Sequence, residues 1–352
     1  MAFDSRFQSD HASLAGSGPR SGRAVLVGCG NIGSHAAIYL ATRGRVASLC
    51  IVDRDVVEAR NLKNQFYATS HVGAPKAEAA AEQLRRLAPD LEVESIVTAI
   101  EDLPLGVIAD ADLCLAGLDT LRARQVLAND YVYRCGIPLI DGAVDGTGDW
   151  YGTVQVIVPG GGACVECKWT PAFYRQLARE MPCGLHDDGS ADPNQASAAL
   201  GAAVAGVMTD EALRILHQES QPHSFEIAMD VRQGRRLVSR LCPARHCRFD
   251  HQMVEQRVSL EVPFAEATVH HLRQAALDWA VDERPQLEFR RNLFGSGPLE
   301  PTRWQTPRSL IRFAGRLLSN VGLTARDRIR LQTPSRSALL ELNAATPSRP
   351  GD

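Results

Sequence analysis

The chain has 352 residues, 45% of them hydrophobic and 22% charged, with a formal net charge of −3 and a pI near 6.4. These proportions exclude wholesale disorder and a collagen-like repeat, and they suit one large domain with an appendage, or two domains. The near-neutral balance argues against nucleic-acid coating as the main task.

No stretch is built for a membrane. The longest uncharged helical candidate, Ala196 to Thr209, is too short to span a bilayer, and residues 1–20 carry Asp4, Arg6, Asp10 and Arg20 with no apolar export core. A cytoplasmic protein with no membrane or nucleic-acid partner is expected. Of the nine cysteines, Cys29, Cys50, Cys114 and Cys135 stand alone in apolar runs, where a thiol acts as a small hydrophobe, so a disulfide scaffold is not expected. Of the 38 basic residues only Lys63, Lys76 and Lys168 are lysine. In such an arginine-biased chain each lysine reads as a specific choice.

From Arg23 onward strands and helices alternate. Ala24 to Val27 is an apolar run ending in GCGNIGS, after which apolar and small residues from Ile32 to Tyr39 recur at helical spacing. Val46 to Val52 forms a second strand ending at Asp53, and Pro75 to Leu87 reads as an alanine-rich helix opened by proline. Leu91 to Val97, Ala111 to Ala116 and Pro138 to Ile140 supply further strands, with a helix from Leu121 to Tyr133 before the last. This βαβ repetition predicts a doubly wound, Rossmann-like α/β sheet with its site at the carboxyl ends of the strands. Tyr151 to Val158 then alternates like an antiparallel strand, Lys168 to Asn194 reads as a long irregular surface loop, and Ala196 to Leu216 as a helix of small residues. Phe225 to Asp230 and Arg236 to Arg240 follow as strands. The arginine-rich remainder predicts a small α+β appendage with helices near 266–280 and 308–319 and strands at 326–332 and 337–342. The expected division is an arm over 1–20, a main domain with a zinc module over 21–254, and the appendage over 255–352.

Gly28, Gly30 and Gly33 form G-x-G-x-x-G between strand and helix, where glycines permit a tight turn and let phosphate approach backbone N–H groups. The alternative is a close helix-to-sheet turn without ligand. Asp53 ends the second strand about 20 residues on, as expected of a carboxylate bonded to ribose. Residues 53–65 then place Asp53 and Asp55 two apart and deliver Asn61, Lys63 and Gln65 in one polar loop, with Lys76 behind Pro75. For a carboxylate attacking an α-phosphate, these cations and amides would neutralise a triphosphate, and Asp119 after the fourth strand could hold Mg²⁺. The alternative for the loop is a solvated charged surface.

GCGNIGS, the segment from Asp53 through Gln65, GAPKAEAA at 73–80 and GLDTLRAR at 117–124 together resemble the ubiquitin-activating and ThiF/MoeB adenylyltransferase superfamily over roughly residues 20–250. Within it, GAVDGTGDWYGTVQVIVPGGGACVEC looks most like the activating enzyme of the ubiquitin-fold modifier. The resemblance implies that Gly28, Gly30, Asn31 and Gly33 line the nucleotide loop and that Asp53 binds ribose. It also implies that Asn61, Gln65 and Lys76 face the phosphates, that Asp119 binds Mg²⁺, and that Arg124 supports the neighbouring loop. It implies a homodimer and a ubiquitin-like protein as substrate; the place of residues 255–352 after the zinc module suggests that they recruit a conjugating enzyme or the modifier. Two positions depart from the family pattern: Asn64 where arginine is usual, with Lys63 or Arg60 to replace the charge, and Thr120 where asparagine is usual. Arg6, Phe7 and Gln8 resemble, at looser spacing, the family segment that sends an arginine into the neighbouring subunit.

Cys164 and Cys167 form C-x-x-C, and Cys242 and Cys247 form a second, wider pair, a pattern that predicts a closed Zn²⁺ thiolate site stapling strands; the alternative is a redox pair plus stray thiols. Cys183 lies in MPCGLHDD, in the stretch where family members carry a thioester cysteine, though the family cysteine sits nearer the position of Asp192 and Pro193. It is either that transferring thiol or an ordinary exposed one. Two other classes stay open: an NAD-dependent Rossmann oxidoreductase, and a non-catalytic scaffold of the same fold.

Overall fold

A computed structural model describes residues 22–43, 46–145, 150–160, 162–180, 196–219, 223–254, 256–289 and 303–342. Five short strands, β1 (Arg23–Val27), β2 (Ser48–Val52), β3 (Glu92–Ile96), β4 (Leu113–Ala116) and β5 (Leu139–Val144), run parallel in the order β3-β2-β1-β4-β5. Antiparallel β6 (Tyr151–Ile157), β7 (Phe225–Asp230) and β8 (Arg235–Arg240) extend the sheet to eight strands beyond β5. The doubly wound architecture with an antiparallel extension is therefore as the sequence predicts.

Both faces of this sheet are covered, which is why β1, β2 and β4 read as continuous apolar runs. On one face α1 (Asn31–Thr42), α2 (Lys76–Leu87) and α6 (Ala198–Leu216) bury Ala36, Leu40, Leu84, Val204 and Met208 against Leu26, Leu49 and Leu115. The other face carries α3 (Leu105–Ala109), α4 (Leu121–Gln125) and α5 (Pro171–Glu180), and packs Val107, Tyr131, Leu177 and Trp169 onto Val25, Cys50 and Cys114.

Two regions differ from expectation. The presumed loop after Lys168 contains α5, whose Pro171 starts a helix where the missing N–H costs nothing and whose Tyr174 and Leu177, three apart, are buried. The helix expected near 308–319 is instead two short 3₁₀ turns, Ile311–Phe313 and Ser319–Val321. The carbonyls of Ala314 and Arg316 accept the N–H groups of His270 and Val269, and Leu318 donates to the Ala267 carbonyl, so the backbone pairs across the fold. The Leu121 to Tyr133 helix is continuous but widens into a π-helix over Val126–Tyr133.

The C-terminal residues form a second, five-stranded sheet with its own core. It comprises β9 (Gln256–Ser259), β10 (Gln286–Phe289), β11 (Arg303–Gln305), β12 (Arg328–Gln332) and β13 (Ser337–Glu341), in the order β11-β10-β12-β13-β9. Helix α7 (Val269–Ala280) packs Leu272 and Ala276 into a cluster with Leu287, Phe289, Ile329, Leu331 and Leu340. This unit docks beside α3: Gly106 N–H donates to the Arg326 carbonyl at 2.8 Å, Arg326 pairs with Glu94, Arg328 with Asp110 at 3.0 Å, and Leu339 joins the core over α3. That contact lies at the approach to β4, away from the strands' carboxyl ends. Among the described residues no helix is long and apolar enough to cross a membrane.

Candidate active site and a cysteine–histidine cluster

Adjacent β2, β1 and β4 deliver three loops to one edge. Gly28 N–H donates to the Val52 carbonyl at 2.9 Å and Gly117 N–H to the Val27 carbonyl at 2.9 Å, so the loops meet backbone to backbone. This closeness explains two glycines. Gly28 has φ +87° and a Cβ there would lie 2.7 Å from the Gly117 carbonyl oxygen, while a Cβ on Gly33 would lie 1.9 Å from that of Gly28. Gly30 differs: a Cβ there would meet nothing within 4 Å. The protein leaves that space open at the amino end of α1, where N–H groups point outward and a phosphate fits.

Asp53 braces the loop. Its carboxylate accepts Cys29 N–H at 2.6 Å and Asp55 N–H at 2.8 Å, and burial raises the carboxyl above its usual range while those two N–H groups and the Lys76 charge oppose the rise. Lys76, first residue of α2 and mostly buried, points Nζ at Asp55 Oδ2, 3.1 Å away. Tyr67 donates its hydroxyl to the Cys29 carbonyl at 2.7 Å, tying the polar loop to the glycine turn. Asn61 caps its own 3₁₀ turn by accepting Glu58 N–H at 2.9 Å. The Gln65 amide oxygen is buried with no hydrogen-bond partner among the described residues. Lys63 is exposed on the loop.

The two departures from the family pattern have local explanations. Thr120 caps α4, its hydroxyl accepting Ala123 N–H at 3.2 Å, a role threonine and asparagine share. Asn64 is buried and donates to the Ala196 carbonyl at 3.2 Å, which Asn31 also contacts at 3.2 Å, so both asparagines hold the lead-in to α6. Asp119 is exposed and makes no hydrogen bond or ion pair among the described residues. Its loop is held from behind: Arg124 donates to the Leu118 carbonyl at 2.5 Å and the Gly142 carbonyl at 3.0 Å, and pairs with buried Asp141. Burial raises the Asp141 carboxyl and the Arg124 charge opposes it.

Cys164, Cys167, Cys247 and His251 converge, with their ligand atoms all within 4.8 Å of one another. The Sγ atoms of Cys164 and Cys167 are 3.9 Å apart, those of Cys164 and Cys247 3.5 Å, and Cys167 Sγ lies 3.2 Å from His251 Nε2. A tetrahedral site with metal–sulfur bonds of about 2.3 Å has sulfur–sulfur edges of roughly 3.8 Å, so the four atoms fit Zn²⁺. Ala244 N–H supports Cys167 Sγ from behind at 3.4 Å. Cys242 is exposed and stands outside this group. The fourth position falls to His251 because Arg134 grips both its neighbours, pairing with Asp250 at 2.5 Å and donating to the Gln252 carbonyl at 2.7 Å, and holds His251 at φ +55°. Cys183 and Arg6 lie outside the described residues.

Comparison with known proteins places this geometry. The ThiF family profile matches residues 19–248. The chain belongs to the ThiF family. This ThiF-family chain is 38% identical to the SAMP-activating enzyme E1 of Haloferax volcanii over 154 residues, 43% of the chain and 55% of that protein. It is 32% identical to the NEDD8-activating enzyme E1 catalytic subunit of Saccharomyces cerevisiae over 152 residues, 41% of the chain and 50% of that protein. To the molybdopterin-synthase adenylyltransferase of Escherichia coli it is 33% identical over 126 residues, 35% and 50%. It therefore spans about half the length of the curated relatives it matches. The crystal structure of Escherichia coli MccB with ATP shares the fold at a TM-score of 0.53 and 19% identity, covering 65% of each chain.

Sequence reasoning missed His251, Glu166 and Asp141. His251 had a usable signal, since Cys247 and His251 stand at C-x-x-x-H, a metal-ligand spacing. Glu166 and Asp141 had none: each is one acid among 41, singled out only by being buried.

Proposed function

We propose that this ThiF-family chain is an ATP-dependent adenylyltransferase that activates the carboxy-terminal carboxylate of a ubiquitin-like protein. The observation that carries the reading is one strand edge bearing the open glycine turn, the ribose-side carboxylate Asp53, the buried cation Lys76 and the free acid Asp119. The relatives' names supply the substrate class. In the reaction a carboxylate oxygen attacks the α-phosphorus, the bond to the β-phosphate oxygen breaks, and pyrophosphate leaves. The attacking carboxylate is already ionised and needs no base. Gly28, Gly30, Asn31 and Gly33 bound the nucleotide pocket, with Asp53 on ribose and Asp55 close by. Lys76, released from Asp55 when phosphate arrives, joins Lys63, Asn61 and Gln65 in neutralising the developing charge, Asp119 holds Mg²⁺, and Arg124 fixes its loop.

Zn²⁺ at Cys164, Cys167, Cys247 and His251 has a structural task, since four protein ligands leave no open position. The chain acts as a cytoplasmic homodimer. Residues 21–254 are the adenylation domain and 255–352 an appendage that recruits the modifier or a conjugating enzyme; the expected arm over 1–20 lies outside the described residues. Cys183 is the candidate for a subsequent thioester.

The test is ATP/pyrophosphate exchange dependent on a candidate ubiquitin-like protein. Asp119→Ala should lower exchange by about a hundredfold or more. Exchange absent with every ubiquitin-like protein and peptide carboxylate tried overturns the reading. Intact mass separates the later step: a thiol-sensitive adduct lost in Cys183→Ala marks the thioester, and an adenylate alone marks an ordinary thiol. The engagement of Asn64 with Ala196, where arginine is usual, favours one second reading, a scaffold that binds ATP without exchange.

A further inference from the structure

Helix α4 stands between the two sites. On one side Arg124 holds the Leu118 carbonyl and so the loop of Asp119; on the other, Gln125 Nε2 donates to Glu166 Oε1 at 2.8 Å. Glu166 lies inside the Cys164–Cys167 turn and is 2% exposed. Its carboxylate also receives Asn129 Nδ2, from the π-helix, and the Tyr174 hydroxyl at 2.8 Å. Three donors converge on it. The Gln125 amide is oriented from its other end, where Oε1 accepts Arg122 Nη1 at 3.3 Å. Tyr174 accepts Arg248 N–H at 3.4 Å and lies under the Arg248 guanidinium at 4.1 Å, one residue past Cys247. Glu166 thus bonds to α4 and, through Tyr174, reaches the second half of the cluster.

We propose that Glu166 and Gln125 are positioning residues that couple the Cys164–Cys167–Cys247–His251 cluster to the Asp119 loop, so that Zn²⁺ at the cluster tightens binding of ATP·Mg²⁺ at an edge it does not touch. The inference rests on the adenylation reading. Without metal, no bond joins the four ligand atoms to a common centre, and the turn between Cys164 and Cys167 carries Glu166 with it when it relaxes. Gln125 then loses its acceptor. The start of this helix, which continues through Val126–Tyr133, then keeps Arg124 and the Thr120 cap as its ties to the loop and shifts, and with it the exposed carboxylate one residue before that cap.

The full-length chain is loaded with Zn²⁺ or stripped by a chelator that is then removed, and its affinities for ATP·Mg²⁺ and for ATP without Mg²⁺ are measured by calorimetry. Stripping should weaken ATP·Mg²⁺ about tenfold, and by linkage ATP·Mg²⁺ should tighten Zn²⁺ by the same factor in competition with a colorimetric chelator. Affinity for ATP without Mg²⁺ should change less than about twofold, whereas general loosening of the fold weakens both forms alike. Glu166→Gln turns an N–H₂ group toward donors; Gln125→Met cuts the link while leaving every cluster residue in place and decides the matter if the first variant folds poorly. Either should keep one Zn²⁺ per chain and shrink the tenfold factor to below about twofold. Equal ATP·Mg²⁺ affinity with and without Zn²⁺, or an undiminished factor in Gln125→Met, overturns the coupling and leaves the adenylation reading intact. Absence of ATP binding in every form overturns both.

Discussion

The nucleotide edge and the cysteine–histidine cluster are assembled by opposite means. At the edge, Gly28, Asp53 and Gly117 each directly follow a strand, and parallel pairing of β2, β1 and β4 brings them together with no further instruction. The cluster draws Cys164 and Cys167 from one turn and Cys247 and His251 from a segment about 80 residues later, across α5, α6 and a strand hairpin. Neighbouring strand ends coincide by the geometry of the sheet, whereas distant loops meet only if side chains outside the ligand set hold them. The edge is therefore robust to side-chain choice and sensitive to glycine geometry, and the cluster is the reverse.

The largest effect that tests this contrast is at the cluster. Cys167→Ala should abolish stoichiometric Zn²⁺ binding and lower the melting temperature by about 10 °C, since metal binding there is folding free energy. Metal analysis with calorimetry on His251→Ala and Cys242→Ala then separates the two candidate fourth ligands. The first should lose most of its Zn²⁺ and the second none; the opposite result would restore Cys242 to the site.

Next is the brace behind the Asp119 loop. Arg124→Ala leaves Asp141 buried without its partner and should cost about 3–5 kcal/mol at neutral pH in denaturant unfolding. Burial already holds the Asp141 carboxyl above its unfolded value, so the folded chain binds more protons between the two values, and stability falls as pH rises through the folded one. Removing Arg124 lifts that folded value further. The deficit of the variant should therefore be greatest at neutral pH and shrink on acidification; a deficit independent of pH would mean that Asp141 is not the group left exposed to the change.

At the edge, Gly33→Ala should cost about 2–4 kcal/mol because its Cβ must displace the Gly28 carbonyl. Gly30→Ala should cost about 1 kcal/mol or less, as a poorer helix cap, yet weaken ATP binding by filling the open space. Thermal unfolding and nucleotide titration of the pair separate architecture from pocket. The smallest effect expected is at the docking contact of the second sheet. Arg326 and Arg23 outweigh the opposing effect of burial and hold the Glu94 carboxyl below its ordinary range, so its contribution is present above about pH 4.3 and lost as pH falls through the lowered value. Glu94→Gln should change stability by less than about 1 kcal/mol, because the contact is partly exposed, and should remove that acid-side loss.

Much of the main sheet was legible because its central strands are buried on both faces and its helices show apolar spacing on one. The second sheet was legible only in part. Strands at 328–332 and 337–341 match the expected ones, but β9 and β10 are four residues each, Gln-Arg-Val-Ser and Gln-Leu-Glu-Phe, too short and too polar a run for alternation to register. The 308–319 segment has helical spacing, and tertiary pairing of its carbonyls with the start of α7 overrides it.

The amino-acid order by itself determined which residues end the strands, where glycine must stand, and that lysine occurs at few places, because these depend on local backbone geometry and on composition. Only the tertiary structure decided that Asn64 turns to Ala196, that His251 rather than Cys242 joins the three thiols, and that Glu166 reaches across to Gln125. The reason is physical: a buried polar group takes whichever partner the packed chain brings within about 3 Å, and that partner is set by the whole fold rather than by neighbours in sequence.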